Sequence, residues 1–188
     1  MSVLDQNIKK YIIKPRGNLI SNFDIKDENG NKLGMVKVSI TQSKLSLFDS
    51  DDSLLLTINK KLFSIKGRTY EVKNPFGNLI GRLKQKGELK LLSDVLFENS
   101  KKNEILSGEI PLSDASCEIY DDQGDVVASV AKENEESWME MIQRKFVPWI
   151  LEINDLSYDR ITLLAVFLSM YHADYHWDKG SQWSYFGG

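Results

Sequence analysis

The stretch Phe23-Asp24-Ile25-Lys26-Asp27-Glu28-Asn29-Gly30 decides the predicted fold, because a similar pattern occurs twice more along the chain. The later copies begin at Tyr70 and Cys117, each 47 residues after the previous one, and align without a gap. In the first copy apolar and polar residues alternate up to Lys26, a period of two that predicts a half-buried strand. The Asx and glycine residues that follow favour a tight turn.

The repeat continues beyond each turn into a second alternating run, so that each copy predicts a strand, a turn and a strand. A small residue occupies the same position of this second run in all three copies, namely Gly34, Gly81 and Ala128. A small side chain there permits close approach of a neighbouring chain segment or a sharp bend.

Further strands are predicted between and around the copies, at Tyr11–Lys14, Lys44–Phe48, Leu54–Asn59, Leu89–Ser93, Ile105–Ile110 and Val147–Ile153. Residues 50–53 and 99–103 are typical of turns. Pro148 suggests that the last strand is an edge strand or contains a bulge. Residues 138–146 fit a helix or a strand equally well. Three copies are few for a solenoid or a propeller, and a closed sheet would leave no exposed edge strands.

The segment from Ile161 to Tyr171 is apolar on all sides of a predicted helix. Asp155 or Ser157 can cap it, and Asp159 suits the positive end of the helix dipole. Its eleven residues rise only about 16 Å, too little to span a bilayer. A helix without a polar face must be buried. We expect it inside a closed antiparallel barrel, and the alternative is a core helix packed on one open sheet.

The 188 residues, 41% of them hydrophobic, suit one large mainly β domain, predicted over residues 1–176 with the central helix at about 157–173. Residues 177–188 form a tail with four aromatic residues, which could contact a membrane or a partner, or fold back on the barrel. The single cysteine, Cys117, aligns with core positions of the repeat, and one cysteine suits a reducing compartment. The first residues lack the apolar run of a secretory signal, so we predict a cytoplasmic protein.

The net charge of −3 conceals two blocks of opposite sign. Residues 58–90 contain nine Lys or Arg and two acids, and residues 109–136 contain nine acids and one Lys. The positive block includes the basic stripe, which comprises Lys66, Arg68, Arg82, Lys84 and Lys86. Alternate positions on a strand share one face, so the stripe could attract a phosphate or an anionic lipid headgroup. The simpler interpretation is a solvated strand face whose lysines prevent edge aggregation.

Other constellations are weaker. His172 and His176 would stand one helical turn apart, a metal-binding spacing, but Asp174 would face another side and no third ligand is evident, so no metal or cofactor is predicted. The acidic turns 27–31 and 121–125 place glycine too early for an EF-hand loop, and hairpin turns explain them. The sequence contains no nucleophile elbow, phosphate-binding loop or paired-cysteine motif, and we predict no enzyme.

The order of these elements resembles the LURP-one-related family, which is grouped with tubby-like domains and phospholipid scramblases. The resemblance rests on Phe23-x-Ile25-x-Asp27-x-x-Gly30, on Tyr70-x-Val72-x-Asn74-x-x-Gly77-x-x-Ile80-Gly81, and on the helical segment from Asp159 to Tyr171, and it covers about Lys9 to Ala173. It implies a closed barrel of about 12 strands around the helix. The cysteine-rich and proline-rich segments of scramblases are missing, which leaves a palmitoylated membrane anchor unsupported.

Three functions follow from this interpretation. The first is a non-enzymatic module, peripheral at a membrane, that binds an anionic phospholipid or another phosphate ligand through the basic stripe. The second is a protein-interaction scaffold that uses the acidic face or the aromatic tail. The third, suggested by the resemblance alone, is scramblase-related lipid transport. Nucleic acid is not an expected partner, because aromatic residues do not interleave the stripe.

Overall fold

The computed structural model describes residues 2–16, 22–41, 43–61, 69–86, 92–111, 116–132 and 148–170. Twelve strands in these ranges form a closed antiparallel barrel, in which successive strands pair and β1 closes the ring against β12. The predicted barrel is therefore confirmed. The strands are β1 (Lys10–Pro15), β2 (Asn22–Lys26), β3 (Lys32–Val38), β4 (Lys44–Asp49), β5 (Leu54–Lys61), β6 (Thr69–Lys73), β7 (Leu79–Lys86), β8 (Leu92–Asn99), β9 (Glu104–Pro111), β10 (Ser116–Asp121), β11 (Val126–Lys132) and β12 (Trp149–Ile153).

Burial alternates along the strands as the sequence predicts. In β6, Tyr70 and Val72 are fully buried, whereas Glu71 between them lies on the outer face. The same alternation occurs in β2, where Phe23 and Ile25 point inward. Removing such side chains from water contributes about 1.5–3 kcal/mol each, so the period-two pattern fixes which face of the sheet lines the barrel.

The apolar C-terminal segment forms the helix α1 (residues 160–170) inside this barrel. Residues 163–170 are all buried, and all of them except Ser169 belong to the same core cluster as the inward side chains of the strands. The helix begins after Asp159, whose Oδ2 accepts a hydrogen bond from the backbone N of Thr162 at 2.9 Å. Asp159 is therefore the capping residue. The prediction that Asp155 or Ser157 caps the helix was wrong, because the Asp155 carboxylate instead accepts the backbone N–H of Ser157.

A buried arginine joins the helix to the N-terminal segment. Arg160 is fully buried, and its guanidinium donates hydrogen bonds to the carbonyl oxygens of Gln6 at 2.7 Å and Tyr158 at 2.9 Å. Tyr11 donates its hydroxyl hydrogen to the carbonyl oxygen of Val3 at 2.9 Å, and burial raises the pKa of Tyr11 to about 12. Residues 2–9 thus pack across the barrel end at which the helix enters.

Five hairpin turns lie at this same end and share one set of backbone hydrogen bonds. In the β6–β7 turn, Asn74 N donates to Asn78 O at 2.9 Å, and Gly77 N donates to Asn74 O at 3.0 Å. The Asn74 Oδ1 also accepts the backbone N–H groups of Phe76 and Asn78. Equivalent side-chain bonds are made by Asp27, Asn99 and Asp121. The predicted hairpin turns at the acidic loops are therefore confirmed.

The fourth residue of each turn has a positive φ, a conformation that favours glycine. Gly30, Gly77 and Gly124 occupy it in three turns, with φ of 81°, 83° and 89°. Asp52 and Lys102 occupy it in the other two, with φ of 64° and 68°. The barrel thus repeats its hairpin five times, but only the three copies with glycine are evident in the sequence.

The small residues of the repeat permit close approach, as predicted. A Cβ added to Gly34 would lie 2.4 Å from the backbone oxygen of Phe48. A Cβ added to Gly81 would lie 2.5 Å from the ring of Phe97. In both copies the strand following the turn packs too tightly against the next strand for any side chain at this position.

Three details of the sequence interpretation change. The strand predicted at Leu89–Ser93 runs instead over Leu92–Asn99, because three successive apolar residues at 95–97 hide the alternation. The β12 strand begins directly after Pro148 and is paired on both sides, so the edge-strand prediction was wrong. Cys117 is half-buried and packs against the core from its margin. Residues 138–146 lie outside the described residues.

We expect Asn74→Ala to destabilise the barrel by roughly 1–2 kcal/mol, because two backbone N–H groups lose their acceptor. Asn74→Asp is the matched control and should be nearly neutral, since Asp27 and Asp121 make the same bonds in their own turns. Urea unfolding at neutral pH measures both variants. Equal stability of the alanine and aspartate variants would contradict the role of the Asn74 oxygen.

We expect Gly34→Ala to cost about 1–3 kcal/mol, because the atom in its way is a backbone oxygen that cannot move without disturbing the β3–β4 pairing. Ala128→Gly, at the equivalent position of the third copy, should cost only about 0.5–1 kcal/mol through added chain flexibility. Unfolding free energies from denaturant titration compare the two. A stabilising Gly34→Ala substitution would show that the close approach is not a constraint.

Candidate functional site

Two residues of the basic stripe lie side by side on the outer face of β7. Arg82 and Lys84 flank Leu83, which is fully buried, so both point away from the core as the strand period predicts. Lys86 ends the same strand, with its backbone opposite Asp94 of β8. Lys66 and Arg68 lie outside the described residues, and the grouping of all five residues remains a prediction.

Arg82 does not stand alone on this face, because Glu71 of β6 is its cross-strand partner. The Glu71 carboxylate lies 3.4 Å from Arg82 Nε, 2.7 Å from Lys61 Nζ and 3.6 Å from Lys73 Nζ. The Glu71 side chain is only 14% exposed, whereas Lys61 is 51% exposed. Three cations from β5, β6 and β7 therefore converge on one nearly covered carboxylate.

Lys84 makes a second ion pair with Glu98 on the neighbouring strand β8. The register places Glu98 directly opposite Arg82, so Lys84 reaches it along the diagonal. We name the six residues of this surface the outer cluster, which comprises Lys61, Glu71, Lys73, Arg82, Lys84 and Glu98. Its four cations exceed its two carboxylates, which leaves an excess of two positive charges within the outer cluster.

The cations determine the ionisation of the central carboxylate. The hydrogen bond from Lys61 lowers the pKa of Glu71 below its ordinary 4.5, and Lys61, Arg82 and Lys73 add to this effect while burial opposes it. Glu71 is consequently ionised at neutral pH. It holds the cationic side chains in place on the sheet and also competes with any external anion for them.

The sequence interpretation identified Arg82 and Lys84 but overlooked the two carboxylates. Glu71 belongs to the repeated motif, and a hairpin turn at Asn74–Gly77 places it opposite Arg82, so the pairing could have been found from turn geometry. Glu98 could not be found in this way, because the β8 strand itself was predicted in the wrong position.

The opposite charges are separated around the barrel. The acidic turn of β10–β11 contains Asp121, Asp122 and Asp125, and β9 separates it from the outer cluster on β5–β8. Its first carboxylate is already engaged by the backbone N–H groups of Gln123 and Asp125, which lowers the pKa of Asp121. Among the described residues, no three His, Cys, Asp or Glu side chains are grouped as metal ligands would be.

The remaining candidates lie beyond the described ranges. They are His172, Asp174 and His176, together with the aromatic tail of residues 177–188. Within the described ranges, no helix has the length and apolarity required to cross a bilayer.

The lowered pKa of Glu71 predicts a pH-dependent contribution to stability. A carboxyl group whose folded-state pKa lies below 4.5 stabilises the fold above that pH and loses its contribution as the pH falls through the folded-state value. We expect Glu71→Gln to be destabilising near neutral pH, with the difference from wild type disappearing in acid. Unfolding free energies measured across this range test it.

The control for this experiment is Glu152→Gln, which removes an exposed carboxylate from β12. It should leave the pH profile of stability close to that of the wild type. A Glu71→Gln deficit that stayed constant from neutral to acidic pH would indicate a packing effect instead of an ionic one.

Comparison with known proteins agrees with the barrel. An X-ray structure of a protein from Arabidopsis thaliana superimposes with a TM-score of 0.57 and 18% sequence identity, covering 93% of this chain and 98% of the other. At that identity the likeness supports the fold alone. Comparison with curated proteins found no match.

The model of the LURP-one-related family matches residues 9–166, from just before β1 into α1, and the chain therefore belongs to the LURP-one-related family.

Proposed function

We propose that this protein is a non-enzymatic binding module that recognises the phosphate of an anionic lipid headgroup through the outer cluster. Membership of the LURP-one-related family and the barrel fold support a binding module in general. The observation that carries the finer proposal is the convergence of four cations on adjacent strands, in excess of the two carboxylates that hold them.

The cluster is arranged in a way that suits a phosphate. Lys61 and Lys84 remain 51% and 43% exposed although each is ion-paired, so an incoming anion can reach them without displacing the core. Arg82 is 27% exposed and provides a planar guanidinium, which binds phosphate oxygens with defined geometry. Lys66, Arg68 and Lys86 remain predicted members of the same positive surface.

Binding in this arrangement is an exchange of anions. A headgroup phosphate would take hydrogen bonds from Arg82 and Lys84 that Glu71 and Glu98 now accept. Because both carboxylates remain nearby, affinity should be moderate and should fall with increasing salt. Removing the negative charge of Glu71 and Glu98, which compete with the ligand for the cations, should therefore strengthen the binding of the ligand.

This exchange predicts opposite effects for two double variants. Arg82→Gln with Lys84→Gln should weaken binding to phosphatidylcholine vesicles containing phosphatidylserine by roughly thirtyfold, at about 1 kcal/mol for each lost cation. Glu71→Gln with Glu98→Gln should strengthen it several-fold. Vesicle co-sedimentation measures both, and inositol hexakisphosphate titrated by calorimetry distinguishes a soluble phosphate from a membrane-borne headgroup.

The matched control is Lys14→Gln with Arg16→Gln, which removes one exposed lysine and one exposed arginine at the end of β1, on the opposite side of the ring of strands from β7. It changes the net charge by the same amount and should leave binding within about twofold of the wild type if contacts are local. Vesicle binding that ignores lipid charge, or that responds equally to the control and to the Arg82/Lys84 pair, would overturn the proposal.

A further inference from the structure

The barrel end that carries the five equivalent turns is not uniform in charge. Three of these turns contain clusters of acids, at residues 27–31, 49–53 and 121–125. The two adjacent turns between β6 and β7 and between β8 and β9 contain none. The first of these contains Phe76, and the second contains Lys101 and Lys102.

Phe76 is 88% exposed, although phenylalanine is among the residues most often buried in folded proteins. Its position is fixed by the backbone, because its N–H donates to Asn74 Oδ1 at 3.0 Å within a turn closed by the Gly77 bond. The ring is thus presented outward on a rigid hairpin. Among the described large apolar side chains, only Ile40, in the β3–β4 loop at the opposite end of the barrel, is more exposed.

Two lysines lie in the next turn around the ring. Strand β7 pairs with both β6 and β8, and Gly81 lies opposite Asn99, so the turn at residues 99–103 is the direct neighbour of the turn at 74–78. Lys101 and Lys102 are both exposed in it, and Lys102 is held at a φ of 68°. Two acids lie next to the second turn: Glu98, which directly precedes it and is paired with Lys84, and Glu104, which is exposed at the start of β9. Lys73, 37% exposed, precedes the first turn.

We infer that the Phe76 corner, which comprises residues 74–78 and 99–103, docks on an anionic bilayer and orients the outer cluster toward it. The inference rests on the proposed function for the headgroup ligand. An exposed aromatic ring beside lysines matches the interface of such a membrane, where the ring enters the acyl boundary and the ammonium groups contact phosphates. The acidic turns at 27–31, 49–53 and 121–125 face an unfavourable potential at such a membrane, which selects the side of the barrel that carries the other two turns.

The orientation of the barrel on the bilayer also affects the outer cluster. The Phe76 corner and the outer cluster share β6, β7 and β8, so one orientation brings both to the same surface. One ring and two lysines give a weak contact by themselves. The corner therefore adds to headgroup binding, and its loss should reduce vesicle affinity by several-fold without affecting a soluble ligand.

The test measures binding to vesicles of phosphatidylcholine, with and without phosphatidylserine, for two variants of the Phe76 corner and two control variants. We expect Phe76→Ala and the pair K101E/K102E each to weaken co-sedimentation with anionic vesicles by roughly three- to tenfold. Both should leave the calorimetric binding of inositol hexakisphosphate within about twofold of the wild type, since the outer cluster is unchanged. Melting temperatures confirm that each variant is folded.

Matched controls are available on the same chain. Ile40→Ala removes an apolar side chain that is even more exposed, and K14E/R16E repeats the charge reversal at the end of β1, both at the opposite end of the barrel. Neither control should alter vesicle binding by more than about twofold. If Phe76→Ala and K101E/K102E behave like these controls, the corner does not dock on membranes.

The results also separate this inference from the proposed function. Vesicle binding that is weakened by the Arg82/Lys84 variant but not by the corner variants overturns the inference alone. Binding that depends on the corner but not on Arg82 and Lys84 leaves the membrane contact standing and removes the headgroup site. If vesicle binding shows no response to lipid charge, both the inference and the proposed function are overturned.

Discussion

The burial of α1 is the constraint on which the rest of the structure depends. A helix whose residues 163–170 are all apolar or small cannot face water, and the inward side chains of the strands surround it in one core. Only a closed sheet can cover a helix on every side, so the pairing of β1 with β12 is as necessary as any contact of the helix itself. Ser169, buried within α1, avoids an unsatisfied hydroxyl by donating to Ala165 O at 2.7 Å.

Closure at the helix entrance requires a second set of contacts. The fully buried Arg160 would be costly without acceptors, and the carbonyl oxygens of Gln6 and Tyr158 supply them. The Asp49 carboxylate holds the other side of the N-terminal segment, because it accepts Ser2 Oγ at 2.7 Å and Val3 N at 3.0 Å. In the other four turns the equivalent side chain accepts backbone N–H groups of its own turn. The Asp49 carboxylate accepts Ser50 N of its own turn and in addition binds the N-terminal segment.

The same register that closes the barrel brings together the outer cluster. Glu71, Arg82 and Glu98 are successive partners across β6, β7 and β8. Lys61 and Lys84 reach the carboxylates from diagonal positions on neighbouring strands, and Lys73 lies two residues from Glu71 on the same strand. A ladder of alternating charge stabilises an outer sheet face more than a row of like charges would. The excess of two cations remains after this pairing, and that residual charge is what a phosphate ligand could use.

The residue pattern alone favoured a closed barrel over an open sheet, because period-two alternation, turn glycines and an apolar helix are local signals that can be recognised without knowledge of contacts. It also determined that Arg82 and Lys84 face outward, since alternation about Leu83 requires it. It did not show five equivalent hairpins, because Asp52 and Lys102 take the positive φ that glycine marks elsewhere. The ion pairs between charged side chains became evident only from the folded arrangement of the strands. Cross-strand pairing depends on register and bulges, and these placed Glu71 and Glu98 among the cations and Phe76 beside the lysines of the next turn.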